Sequence, residues 1–304
     1  MTRKNRNLLV WFLGLLIINV VFALTGEKSS GVSFDENLFI VQDTSSIEQV
    51  QVGEVTLTRS GSDWVVNNKY AADHGLQRLL FSMLQRIKVK RPVEVEPKDI
   101  VKVSIVGGEE NTFELFGNST KTRTYSKFPD DDQVYEVHIP GYNEYLGGIF
   151  ELNQDQWRDR LLVNATWRTV QNLSVKYEDP SAKNLEIAFD DQFFEVKGIT
   201  PIDSNYVVEY LNQFEYFQVN EWVSTGRYPQ YDSLVNTPSM ATIQLESINE
   251  SMPLEIKVFK KLPGDRFYIA KSSGQMFVID ERRMQNILKR PENFKYQEVL
   301  ENKL

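Results

Sequence analysis

The run Leu8–Leu24 carries no ionisable side chain, and Arg3, Lys4 and Arg6 stand just before it. At ~1.5 Å per helical residue it reaches about 25 Å, a little short of a ~30 Å hydrocarbon core, so Trp11 and the flanking polar residues must help match the thickness. Basic residues before the run and the Glu27-Lys28 pair after it predict an N-inside orientation, with the rest of the chain outside the cytoplasm. The expectation is an inner-membrane protein with its bulk in the periplasm. A cleavable signal peptide is the competing reading, with Val21-Phe22-Ala23 as the cleavage site. Against it, the run exceeds the usual ~7–15-residue apolar region, and Phe22 and Leu24 crowd the site.

Composition narrows what lies beyond this segment. The chain has no cysteine, so an exported body gains no disulfides, and lipoprotein acylation, thiolate catalysis and thiolate metal sites are excluded. Its formal charge of −8 becomes about −11 once the three N-terminal cations are set aside, a sign that excludes nucleic acid as a partner. Apolar and aromatic content is that of a packed globular protein.

An internal match at a constant offset of 130 relates Glu54–Val89 to Asn184–Val219. In the first copy Val55 and Leu57 alternate, Trp64 and Val66 follow Gly61, and Asp73 precedes Leu76, Leu79, Leu80, Met83, Leu84 and Ile87. In the second, Leu185 and Ile187 alternate, Phe194 and Val196 follow Asp190-Asp191, and Asp203 precedes Tyr206, Val207, Tyr210, Leu211, Phe214 and Phe217. Period-two alternation around a turn predicts a hairpin, and the switch to i, i+3, i+4, i+7 spacing predicts an amphipathic helix. Asp73 and Asp203 stand where the pattern changes, as N-caps would.

A further strand is expected before each unit, at Ile47–Val52 and Leu173–Tyr177, and more after each helix. Short helices are expected at Tyr142–Phe150 and Arg282–Lys289. The fold class predicted is α+β: an N-terminal transmembrane helix, then two homologous lobes of antiparallel strands, each with one main amphipathic helix. The division runs 1–33 for anchor and linker, 34–156 for the first lobe and 157–304 for the second. Exposed strand edges of two similar sheets could also pair across the lobes, giving a continuous elongated body.

Val55-Thr56-Leu57-Thr58-Arg59 leading to Trp64-Val65-Val66-Asn67, then Asp73, and later Trp157-Arg158-Asp159 with Leu161-Leu162, resemble the bacterial domain-of-unknown-function family 4340 over about Phe39–Phe294. The resemblance implies a membrane-anchored exported protein associated with ABC-type transport systems of the gliding-motility class. It brings no catalytic residues.

The residues themselves offer little chemistry. Only His74 and His138 are available as imidazole bases, and no Gly-x-Ser-x-Gly elbow exists. Asp130-Asp131-Asp132 and Asp190-Asp191 read as hairpin turns rather than calcium ligands, and Gly107-Gly108 and Gly147-Gly148 as turns lacking phosphate-loop context. No cofactor or metal site is expected. Aromatic residues crowd Tyr206–Trp222, mostly on one helical face, but Ser224–Pro238 carries Gly226, Pro229, Pro238, Tyr228 and Tyr231 with little periodicity. Long structured loops are often binding elements, which makes Trp222, Tyr228 and Tyr231 the candidate partner-binding residues. The function expected is a non-enzymatic, single-pass envelope protein that binds proteins of a membrane transport complex. The alternatives are an enzyme using paired carboxylates on an envelope polymer and a small-ligand or lipid carrier.

Overall fold

The computed structural model describes residues 34–108 and 110–297. The apolar run Leu8–Leu24 lies outside these residues; among those described, no helix is long and apolar enough to cross a membrane.

The first half contains β1 (Gln49–Val52), β2 (Val55–Ser60), β3 (Asp63–Val66), β4 (Tyr70–Ala71), α1 (His74–Leu84), β5 (Lys88–Val93), β6 (Val101–Val106), β7 (Asn111–Gly117), β8 (Thr124–Lys127) and β9 (Val134–His138). A short helix α2 (Gln154–Trp157) closes it. The second half contains β10 (Leu161–Val163), β11 (Val170–Tyr177), β12 (Leu185–Asp190), β13 (Phe193–Val196), α3 (Ser204–Leu211), β14 (Phe217–Gln218), β15 (Glu221–Val223), α4 (Pro229–Leu234), β16 (Ala241–Ser247), β17 (Leu254–Val258), β18 (Phe267–Ser272), β19 (Gln275–Asp280) and α5 (Glu281–Ile287). The protein is α+β, built on two large antiparallel sheets.

Strand order is β4-β3-β2-β1-β6-β7-β8-β9-β5 in the first sheet and β13-β12-β11-β16-β17-β18-β19-β15 in the second. Apart from the edge strand β4, which has no counterpart in the second sheet, the two follow the same order position for position. Hairpins join most neighbours, while α1 and α3 each lead from one edge of a sheet to the strand at the opposite edge. Each helix turns its apolar stripe to its sheet: Leu80 and Leu84 are fully buried in the first core, Val207 and Leu211 in the second. Burial at this level contributes roughly 1.5–3 kcal/mol per large side chain.

Register repeats as closely as order. Val50 lies between Leu57 and Ile105, and Leu173 between Ile187 and Leu245. Pro92 opposes Tyr135 as Trp222 opposes Phe277. The segments leading into the sheets repeat too: the Val41 N–H donates to the Leu84 carbonyl and the Ala165 N–H to that of Phe214, both at 3.0 Å. Asp73 and Asp203 cap the two helices, Asp73 accepting from the Gly75 and Leu76 N–H groups and Asp203 from that of Tyr206.

Two expectations need correction. The two sheets remain separate among the described residues and do not pair edge to edge; what joins the halves is the chain itself and side chains at one junction. Trp157–Asp159 pack with the first half, where the Asp159 N–H donates to the Ala71 carbonyl and the Asp73 N–H to that of Trp157, each at 2.8 Å. Asp159 thus bonds to the first half, and the Arg160 carbonyl accepts from the Val219 N–H of the second at 2.8 Å. Finally, Ser224–Pro238 is not irregular throughout. It holds α4, started by Pro229 at the first helical turn, where a missing N–H costs nothing.

Candidate functional site

That α4 segment is where the halves differ most. β5 reaches β6 through Glu94–Ile100, whereas β15 reaches β16 through Ser224–Met240, and the offset between equivalent residues steps from 130 at Pro92/Trp222 to 140 at Ile105/Leu245. The added residues begin at the junction of the two lobes, so the insertion and the junction form one site.

At its centre is Arg158, which follows α2 and is 5 % exposed. Its guanidinium lies 3.7 Å from the Tyr70 ring centre in the first lobe and 4.2 Å from that of Trp222 in the second. Two aromatic faces, one from each lobe, thus sandwich one cation, and desolvation strengthens such contacts. Arg158 also hydrogen-bonds the Gln275 side chain at the start of β19. Burial pulls its pKa below the ordinary arginine value, opposed by Tyr70 and Asp155.

Asp155 completes the cluster. Its carboxylate is buried, lies 3.5 Å from Arg158 Nη1, and accepts hydrogen bonds from the Ser224 N–H at 2.8 Å and the Ser224 hydroxyl at 2.9 Å. The capping box of Asn153 and Gln156 fixes the turn that carries it. From the insertion, Arg227 reaches within 3.8 Å of Asp155 and 2.6 Å of Glu221. The Trp222 indole N–H donates to the Asp159 carbonyl at 2.7 Å, which pins the second lobe's edge strand to the end of the first. Two arginines thus meet two carboxylates. A cleft of about 600 Å³ opens beside them, lined by the β1–β2 turn, Asn67, Glu151–Asp155, Ser224 and Arg227.

This arrangement holds parts in place. The Ser224 hydroxyl donates to a carboxylate already bonded to a backbone N–H, and both cations are guanidinium groups, which do not deprotonate in proteins. The two histidines lie elsewhere: His74 Nε2 is 3.9 Å from the Asp63 carboxylate on an exposed surface, and His138 sits on β9 opposite Lys88. Among the described residues, no three His, Asp or Glu side chains converge as a metal site.

The residues predicted to bind a partner are only partly available for it. Trp222 is 7 % exposed and spent on Arg158, Asp159 and the Phe277 ring. Tyr231 is 9 % exposed; its hydroxyl donates to Asp265 at 2.5 Å, and burial together with that carboxylate pushes its pKa up. Trp222 belongs to the main core of the second lobe, and Tyr231 is interior because the insertion folds back over β15, β18 and β19 as a small apolar cluster of its own with Phe259 and Ile269. Tyr228 is half-buried, edge-on to Tyr231 and within cation–π reach of Arg227. The structure therefore brings Trp222 and Tyr228 to the junction, through Arg158 and Arg227, and leaves Tyr231 behind it. Tyr70, Asp155, Ser224 and Arg227 escaped notice in the sequence, since nothing local marks a charged residue whose partner is 69 positions away.

A second concavity, of about 1060 Å³, lies on the outer face of the second sheet between β11, β12, β16 and the Gly198–Ile202 segment. Several of its polar groups are engaged with one another: Lys197 donates to Glu186 at 2.7 Å and Asn172 to Glu246 at 2.6 Å. Set beside known protein families, characterised proteins and solved structures, the chain matches none of them.

Proposed function

We propose that this chain is a non-enzymatic, extracytoplasmic interaction module held at the inner membrane by Leu8–Leu24, and that it serves as an accessory component of an ABC-type transport system. Its two lobes are read as products of one internal duplication, and the α4 insertion as the later addition that locks them together. The observation that carries this reading is the junction: Asp155, Arg158, Ser224 and Arg227 cross-link the lobes into one body, with charged groups spent on architecture. A preorganised body loses less entropy on binding than two independently tumbling lobes. The apolar run and the resemblance to family 4340 support the membrane and transport context.

Pull-down of the full chain from detergent-solubilised membranes, with mass spectrometry of what co-purifies, tests the proposal. It requires a stable set of transporter subunits; recovery of the protein alone under gentle conditions contradicts it.

A further inference from the structure

The internal repeat supplies a control for deciding which exposed residues the fold itself needs. At the end of the second lobe where β11 starts and β16 hands over to β17, the apolar surface is unusual. Ile248 is 65 % exposed, Met252 76 % and Tyr216 65 %. Trp167 is half-buried beside the exposed Arg168. These belong to one end of the lobe. The Tyr216 N–H donates to the Asn164 side chain, the Trp167 N–H to that of Asn212, and the Ile248 N–H to the Thr169 carbonyl, so a single turn, 164–169, ties the three segments together.

The first lobe builds the same end with one exposed aliphatic residue, Val106 at the end of β6, and otherwise with polar residues and glycine. Arg86 takes the place of Tyr216, the polar turn Asp43–Ser46 that of Thr166–Thr169, and Gly107-Gly108 opens the β6–β7 turn where the longer Ile248–Pro253 hairpin stands. Those glycines let the turn lie against Ser46: a Cβ on Gly107 would come 2.6 Å from the Ser46 carbonyl oxygen. In the second lobe the hairpin is longer and carries Ile248 and Met252 outward. Tyr216 also adopts a left-handed backbone with φ of +45°, which for a bulky residue costs about 1–3 kcal/mol. Since the first lobe folds with Arg86 where Tyr216 stands and Gly108 where Ile248 stands, the exposed apolar residues are not there for folding; Trp167 alone also packs on the core.

We infer that this end of the second lobe rests on the lipid headgroup surface of the bilayer that the N-terminal segment enters, an inference that rests on the anchor reading above. Tryptophan, tyrosine and arginine beside aliphatic loop residues form the set that partitions to the membrane interface. The two concavities described above are lined by other residues, and Ile248 and Met252 protrude on a hairpin loop. Between the apolar run and Phe34 lie only residues 25–33, which span at most about 30 Å. A lobe of this size has a radius of gyration of ~14 Å, so a tether this short, joined to the first lobe at Phe34, keeps the two-lobe body held by the Arg158 junction at the bilayer at high effective concentration.

The absence of native cysteine permits a clean probe. The full chain carrying Met252→Cys is labelled with an environment-sensitive fluorophore and reconstituted into vesicles of phosphatidylcholine and phosphatidylglycerol, with and without nitroxide-labelled lipid. The inference requires a blue shift and quenching by more than about half at position 252, while the same probe at Glu110→Cys in the equivalent turn of the first lobe stays unquenched. Adding Trp167→Ser and Ile248→Ser should reduce the quenching at 252 at least about twofold. An unquenched probe at 252 overturns the inference, as does a blue shift without quenching, which would mean that protein rather than lipid covers the site. A carbonate wash separates this test from the anchor: protein retained in washed vesicles with 252 unquenched leaves the anchor standing and removes only the lipid contact. Release by carbonate of protein whose probe had been quenched removes the anchor and supports the surface.

Discussion

Arg158 lies 3.7 Å over the Tyr70 ring, joining the first lobe's closing segment to that lobe's edge strand, and Trp222 of the second lobe covers its other face at 4.2 Å. A planar guanidinium fits between two rings where an ammonium on a flexible stem does not. Arg158→Lys should therefore keep the charge beside Asp155 yet lower stability by about 1–2 kcal/mol, the size of desolvated cation–π contacts. Denaturant titration checks this, and an unchanged midpoint would mean that the stacking contributes nothing.

The equivalent caps and aromatics of the two lobes give paired expectations. Asp73 accepts two backbone hydrogen bonds and Asp203 one, so Asp73→Ala and Asp203→Ala should each cost about 1 kcal/mol, the former more. Trp64 meets Phe81 edge-on at 5.0 Å, and Phe194 meets Phe189 and Phe193 likewise. Both are buried, and their replacement by alanine should cost about 3–5 kcal/mol. Thermal unfolding of the four variants checks the pairing. An aspartate variant that abolishes partner recovery at unchanged stability would reassign that residue from cap to contact.

Tyrosines 228 and 231, alike in the sequence, separate in the structure. Tyr231→Ser removes a buried ring and leaves Asp265 without its phenol, so a loss of about 2–4 kcal/mol is expected. Tyr228→Ser, at a half-buried position, should cost no more than about 1 kcal/mol. Equal losses in chemical denaturation would show that the insertion does not pack as described.

Glu136 on β9 supplies a pH dependence. Burial alone would raise its pKa, but hydrogen bonds and charge from Lys90 at 3.0 Å and Arg91 at 2.8–2.9 Å overcome this and hold it below the ordinary glutamate value. A lowered folded pKa contributes stability that is present above the unfolded value near 4.5 and lost as pH falls through the folded one. Glu136→Gln should thus lower stability at pH 7 and flatten its decline below about pH 4.5. An identical acid limb in the variant would assign that limb to other carboxylates.

How much of this was legible in the sequence follows from what is local. The hairpins, α1, α3 and their caps were readable because alternation, helical spacing and an aspartate at the switch are written within a dozen residues. β5 escaped because Lys88-Val89-Lys90-Arg91-Pro92 looks polar, a composition suited to an exposed edge. β15 is only three residues long, and α4 hid behind its glycine and prolines. The junction was unreadable for a different reason: Arg158, Trp222 and Gln275 gain their meaning from one another, and single-chain periodicity carries no signal for contacts of that range.

The lobe junction is the centre of the account, and the distance between the lobes measures it directly. Spin labels at Ser119→Cys and Lys257→Cys, both exposed and one on each lobe, report the distance distribution in the otherwise cysteine-free chain. A single narrow distribution is expected with Arg158 in place, and a distribution broadened at least about twofold in Arg158→Ala, where Asp155 also loses its buried partner. A broad distribution in the native sequence, or an equally narrow one without Arg158, would contradict the view that this residue locks the two lobes into one body.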